Sequence, residues 1–193
     1  MKNITKRIFI LCTLAAALQG CIFAAGAAAG AAAIAVVYDH RTIKNTMQDT
    51  HTANLIADKY KAIPQIRDNS HIEVTVFNEI ALLTGETSST DVRQDAEEIA
   101  KNTHGVFKVY NQITLQGPTS SLTRTSDAWI TTKIRGEMLA ADNLKSSSIK
   151  VVTENGVVYL MGIITQKQAD SAVEIARQVS GVQKVVKIFQ YRN

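Results

Sequence analysis

Enzymatic and metal-binding chemistry draws mainly on cysteine, histidine and paired carboxylates, and this 193-residue chain holds two cysteines and four histidines. His40, His51, His71 and His104 are scattered, with no pair at metal-ligand spacing and no carboxylate motif beside them. There is no Gly-x-Ser-x-Gly elbow and no glycine loop of the kind that cradles phosphate. Glu97, Glu98 and Glu174 fall on amphipathic stretches of helical period, where acids belong to the solvated face. Nothing in these residues points to catalysis. Covalent chemistry is suggested at one place, Cys21, which closes the run Leu18-Gln19-Gly20-Cys21. Lys2, Lys6 and Arg7 and then an apolar run over residues 8–18 precede it, the layout of a secretory signal. Cys12 lies within that run, so the chain after Cys21 has no cysteine for a disulfide, a thiol nucleophile or a metal.

The Leu-x-Gly-Cys run resembles the lipobox of bacterial lipoproteins. In that class the cysteine thiol receives a diacylglycerol, the chain is cut before it, and the new amine is acylated. The resemblance implies a signal peptide over residues 1–20 and a lipidated Cys21 carrying a diacylglycerol and an N-acyl chain. Ile22 stands where a non-aspartate residue resembles the outer-membrane sorting signal, which implies anchoring in the bacterial outer membrane, facing the periplasm. An uncleaved membrane helix is the competing reading, because small and apolar residues continue over 22–38. Residues 24–33, however, are almost all Ala and Gly, which contribute little to transfer into lipid. Residues 21–46 read as the lipidated cysteine and an Ala/Gly-rich tether.

The formal charge of +4 at pH 7 conceals an asymmetry. Three of the 21 basic residues precede Cys21, which leaves 18 against 17 acidic ones. Residues 47–117 hold 6 basic and 10 acidic residues, while residues 122–193 hold 10 basic and 6 acidic. A mildly basic half suits an anionic partner such as a lipid headgroup or an acidic protein. No basic run is dense enough for nucleic acid, and no small-molecule site is indicated.

The two halves are also one unit written twice. Ile72-Glu73-Val74-Thr75-Val76-Phe77-Asn78-Glu79-Ile80-Ala81-Leu82-Leu83-Thr84-Gly85 returns as Ile149-Lys150-Val151-Val152-Thr153-Glu154-Asn155-Gly156-Val157-Val158-Tyr159-Leu160-Met161-Gly162. Ala96-Glu97-Glu98-Ile99-Ala100 returns as Ala172-Val173-Glu174-Ile175-Ala176, and Gly105-Val106-Phe107-Lys108-Val109 as Gly181-Val182-Gln183-Lys184-Val185. Each copy reads helix, strand, strand, helix, strand. Asn155-Gly156 between two β-branched runs predicts a tight hairpin. Glu79 replaces that glycine in the first copy, so its turn must differ or carry strain. Gly85 and Gly162 are expected to end the second strands at a bulge or close backbone approach. A helix follows, opened by Ser88-x-x-Asp91 in one copy and Thr165-x-x-Gln168 in the other. Last strands are expected near residues 106–115 and 182–191. The fold class is α+β: two tandem domains over residues 47–116 and 125–193, each a three-stranded mixed sheet packed with two helices, joined by a linker over 117–124.

This arrangement resembles the BON domain, a small α/β unit of bacterial envelope proteins. Gly-Val-x-x-Val before the last strand and the glycine after the hairpin carry the resemblance, which makes Gly85, Gly162, Gly105 and Gly181 structural glycines. With the lipobox, the whole chain resembles the dual-BON lipoproteins, most closely in Ser126-Asp127-Ala128-Trp129-Ile130-Thr131-Thr132-Lys133.

That last segment opens the helix of the second copy. At about 100° per residue, Ile130, Ile134 and Met138 share one arc that the domain core requires. Trp129, Lys133, Gly136 and Ala140 cluster on another side, flanked by Thr132, Leu139 and Arg135. Tryptophan favours the membrane interface, and aromatic residues beside cations suit a helix lying on anionic lipid. Aligning Ile56 with Ile130 sets Leu55 opposite Trp129 and Asp58 opposite Thr132, a pairing that makes the first copy less attractive to such a surface. Packing of Trp129 against the other domain or the linker is the alternative from the residues alone. The family resemblance implies that this helix binds anionic phospholipids such as phosphatidylglycerol and cardiolipin through Trp129, with Lys133, Gly136 and Leu139 on the same face. Arg135 and Lys145 join the set on charge and position, and Thr132 on its place beside Trp129. The resemblance also implies a role in envelope integrity, location at division sites and influence on outer-membrane protein assembly. A periplasmic protein-interaction module or chaperone-like adaptor is the alternative of another class.

Overall fold

The protein is described here by a computed structural model covering residues 40–117 and 120–192. The signal-like segment, Cys21 and most of the expected tether lie outside those residues. The first repeat runs α1 (His40–Ala62), α2 (Pro64–Asn69), β1 (Ser70–Phe77), β2 (Ile80–Thr87), α3 (Thr90–Lys101), β3 (Lys108–Asn111) and β4 (Thr114–Leu115). The second runs α4 (Ser121–Ala140), a 3-10 turn (Ser146–Ser148), β5 (Ile149–Glu154), β6 (Val157–Ile164), α5 (Gln166–Gln178) and β7 (Lys184–Tyr191). In each repeat the hairpin is antiparallel and the last strand returns parallel to its second strand, in the orders β1-β2-β3 and β5-β6-β7. The α+β architecture of one mixed sheet with its helices is therefore present twice.

Several boundaries differ from the sequence-based expectation. Helix α1 begins at His40, inside the expected tether, and α4 begins at Ser121, inside the expected linker. The last strand of the first repeat is broken at Gln112-Ile113, where Ile113 turns inward and is 3% exposed. Strands β2 and β6 continue two residues past Gly85 and Gly162. Ser89, not Ser88, caps α3, its hydroxyl accepting the Val92 N–H at 3.3 Å, because its extended backbone turns that oxygen onto the first free amides. Thr165 and Gln168 form the reciprocal capping box at the start of α5.

Both hairpins close with two residues in the left-handed region: Asn155 and Gly156 at φ 51° and 72°, Asn78 and Glu79 at 48° and 64°. The turn type is thus retained in the first repeat, and Glu79 bears a strain of roughly 1–2 kcal/mol, the cost of crowding its Cβ. Each turn is held by an aspartate from the first helix of its own repeat. Asp49 accepts the N–H groups of Asn78 and Glu79 at 2.7 and 3.2 Å, and Asp127 those of Asn155 and Gly156 at 2.8 and 2.9 Å. Gly85 pairs with Ile72 so closely that a Cβ there would run into the His71 carbonyl. Gly105 and Gly181 let the loops before the last strands press on Thr52 and Ile130 of the first helices.

Alternation along β2 and β6 builds three cores. Ala81 and Leu83 face α1 and α3 with Ile56, Tyr60, Val92 and Ala96. Val158, Leu160 and Ile164 face α4 and α5 with Ile130, Ile134, Met138 and Ala172. The opposite faces meet each other: Ile80 and Leu82 of the first repeat pack with Tyr159, Met161 and Ile188 of the second. The two sheets are joined back to back, which is why every residue of β2 is buried.

Candidate functional site

Helix α4 starts where Ser120 accepts the Thr123 N–H at 3.3 Å, a hydroxyl cap on the free amides of the first turn. Its inner face is fixed by Ile130, Ile134 and Met138, at 1%, 0% and 1% exposure, and by Asp127, which reaches the hairpin. The outer face is what remains. Trp129 is 53% exposed, and the shallow groove of about 390 Å³ beside it is lined by Trp129, Thr132, Lys133, Gly136, Glu137 and Ala140. All six belong to α4. Gly136 forms the floor of this groove: a Cβ there would meet nothing within 4 Å. Glycine is therefore not imposed by packing, although it costs about 1 kcal/mol against alanine within a helix.

Leu122, one heptad before Trp129, stands on the same stripe and is 78% exposed. The linker-like composition of residues 117–124 hides it in the sequence, where the seven-residue spacing from Trp129 is the available signal. Glu137 was missed as well. Its carboxylate pairs with Lys133 at 3.3 Å, one turn apart on an exposed surface, where such a pair contributes little and is screened by salt.

The remaining expected residues are not gathered into this groove. Arg135 points the other way and donates to the Val151 carbonyl at 3.1 Å. It lines a second cleft of about 500 Å³ with Leu139, Phe77, Asp49 and Lys150. Burial holds the Lys150 ammonium below its ordinary pKa. Leu139, 77% exposed, sits on the rim of that cleft rather than beside Trp129. Lys145 is exposed in the loop after α4 and lines neither depression. Position along the chain brought Arg135 and Lys145 into the set, but helical phase turns one of them away and the end of the helix removes the other.

The structure also corrects the register between the two first helices. Thr52, Ile56 and Tyr60 are buried at 3%, 0% and 5%, in step with Ile130, Ile134 and Met138. Asp49 matches Asp127 as the hairpin clamp, and Gly105 touches Thr52 as Gly181 touches Ile130. Ile56 is therefore the counterpart of Ile134, one turn further on than the alignment with Ile130. His51 stands where Trp129 does, Leu55 where Lys133 does, and Asp58 where Gly136 does. Asp58 is paired with Lys61 at 3.1 Å.

Among the described residues, no group of three or more His, Cys, Asp or Glu side chains is placed to hold a metal ion. None of the helices among them is long and apolar enough to cross a membrane. The fold and its doubled hairpin-and-helix unit define a class: the BON domain family matches residues 48–117 and 126–193, and the chain belongs to it. It is 34% identical over 186 residues, 96% of either chain, to the outer membrane lipoprotein DolP of Haemophilus influenzae. It is 33% identical over 153 residues to the 21 kDa hemolysin of Actinobacillus pleuropneumoniae, covering 79% of each. With the osmotically-inducible protein Y of Escherichia coli the identity is 30% over 149 residues, 74% of this chain and 72% of that one. The chain is thus a DolP-like dual-BON protein.

Proposed function

We propose that this protein is a non-enzymatic lipoprotein, held in the outer membrane by acyl chains on Cys21 and facing the periplasm, whose α4 lies against anionic phospholipid. The observation that carries the reading is the outer face of α4. Trp129 and Leu122 are exposed there beside Lys133, while the core is satisfied by the opposite side of the helix. An indole at headgroup level and a cation near an anionic surface, contributing on the order of 1 kcal/mol each, suit phosphatidylglycerol or cardiolipin. No cofactor is required beyond the diacylglycerol and N-acyl chain. Because those chains already anchor the protein stably, α4 serves to select the lipid patch that the tethered protein occupies. Support of envelope integrity and placement at division sites would follow from that selection.

Vesicle cosedimentation tests this. Trp129→Glu with Lys133→Glu should lower partitioning onto phosphatidylglycerol vesicles at least about tenfold and leave the fold unchanged. Equal binding by the variant and the parent protein would refute the assignment.

The Lys133–Glu137 pair favours a second reading, because it offsets the one cation of the groove. There α4 binds protein, as an adaptor acting on outer-membrane protein assembly, and Trp129 is the anchor that such interfaces favour. A photocrosslinker at position 129 that captures protein and never lipid would decide for it.

A further inference from the structure

The seam between the two sheets is apolar at one end and acidic at the other. The face of β2 that carries Ile80 and Leu82 continues through Thr84 to Glu86, which is 0% exposed. Glu86 Oε1 accepts the side-chain N–H of Asn155 from the other repeat at 2.7 Å, and Oε2 has no donor among the described residues. Glu154, at the end of β5 and 9% exposed, is the chain neighbour of Asn155, and its carboxyl lies close enough to Glu86 for the two to interact. Two ionised carboxylates so placed repel each other strongly where water is excluded, and each has lost its hydration. One proton removes both penalties. Protonated Glu154 donates, the Glu86 carboxylate accepts, and an O–H···O⁻ bond of this kind is about twice as strong as a neutral one.

We propose that Glu86 and Glu154 share one proton across the seam, and that this proton fastens the two repeats to each other, so that they pair more tightly in mild acid than in mild alkali. The charged and titratable groups facing the pair are Glu73 and His71 on β1, Asp127 on α4 and Tyr159 on β6, His71 being the cross-strand partner of Glu86 and lying 3.8 Å from the Glu73 carboxylate. No lysine or arginine is among them. Burial, with Glu86, Glu73 and Asp127 adding to it, pushes the Glu154 carboxyl from its ordinary 4.5 up to about 7. Both oxygens of Asp127 are taken up by backbone N–H groups of the hairpin. The folded protein therefore binds more proton than the unfolded chain. The stability this contributes is complete below about 4.5 and is lost as pH rises through about 7.

The test is a carboxyl-carbon NMR titration of the full chain, paired with denaturant unfolding between pH 5 and 8. In the unaltered protein Glu154 should titrate near pH 7, and the unfolding constant should rise on the order of 100-fold over that range. In Glu86→Gln the Glu154 midpoint should drop by a unit or more, and in Glu154→Gln the rise in unfolding constant should vanish. The backbone amides of Leu82 and Met161, inside the seam, should shift with the same midpoint as Glu154. A Glu154 midpoint near 4.5 would overturn the shared proton. An unchanged rise in Glu154→Gln, or seam amides indifferent to the titration, would overturn its role in fastening the repeats.

Discussion

On α1 the outward positions hold His51, Leu55 and Asp58; on α4 the same positions hold Trp129, Lys133 and Gly136. The inward positions of the two helices remain alike in burial, and both helices reach a type I′ hairpin with an aspartate. Packing constrains the inner faces, because a core at crystal-like density tolerates little change in volume. It leaves the outer faces free, so their divergence reports on what each repeat meets. The charge difference between the halves runs the same way. Around a groove of about 330 Å³ between α1 and α3 of the first repeat, Asp95 and Glu98 outnumber Lys59. One scaffold has been given an acidic surface and a basic, aromatic one.

The largest effect is expected where the repeats depend on each other. Leu82→Ala, at a site 0% exposed in the seam, should cost about 3 kcal/mol and unfold both repeats in one transition, measured by urea denaturation. Two separate transitions in the unaltered protein would show that the seam does not couple them. Next, Asp127→Asn should cost about 2 kcal/mol and Asp49→Asn about half that, since Asp127 is 6% exposed and Asp49 is more open to water. Equal losses would mean that burial of the clamp is irrelevant.

A graft sharpens the contrast at the surface. In a chain carrying Trp129→Glu and Lys133→Glu, the set His51→Trp, Leu55→Lys and Asp58→Gly should restore phosphatidylglycerol binding about tenfold, or 1.4 kcal/mol. No gain would place the determinant outside this face. The smallest effects concern backbone. Glu79→Gly should stabilise the first hairpin by about 1 kcal/mol, read as a raised melting temperature. Gly136→Ala should stabilise α4 by up to about 1 kcal/mol and weaken vesicle binding by filling the groove floor.

Much of this was legible in the residues. Asn155-Gly156, the Thr165-x-x-Gln168 box and the core triplet Ile130, Ile134 and Met138 announce their structures, because each rests on contacts within a few residues. The register of α1 was misread because Thr52 and Tyr60 do not look like core residues. Thr52 is buried against the loop of Gly105, and Tyr60 donates its hydroxyl to the Ala96 carbonyl at 2.7 Å. Asp49 and Asp127 would have set the register, but a clamp is recognisable only when helix and hairpin are seen together. The α4 face was legible in Trp129, Lys133 and Gly136. It was over-extended to Arg135 and Lys145, whose charge is apparent in the chain while their direction is not.

The sequence by itself determined the doubling of the unit, the local order of helices and strands, and the place of a tryptophan beside a lysine off the core-facing stripe. These follow from period, turn chemistry and self-similarity, all of which are local. Only the tertiary structure decided that Ile80 and Leu82 meet Tyr159 and Met161, and that Glu86 is buried beside Glu154. Those contacts join residues about seventy to eighty positions apart, and no local pattern encodes which two sheet faces will exclude water together. A glutamate on a strand normally reads as solvated; the neighbouring repeat is what removes the water from this one.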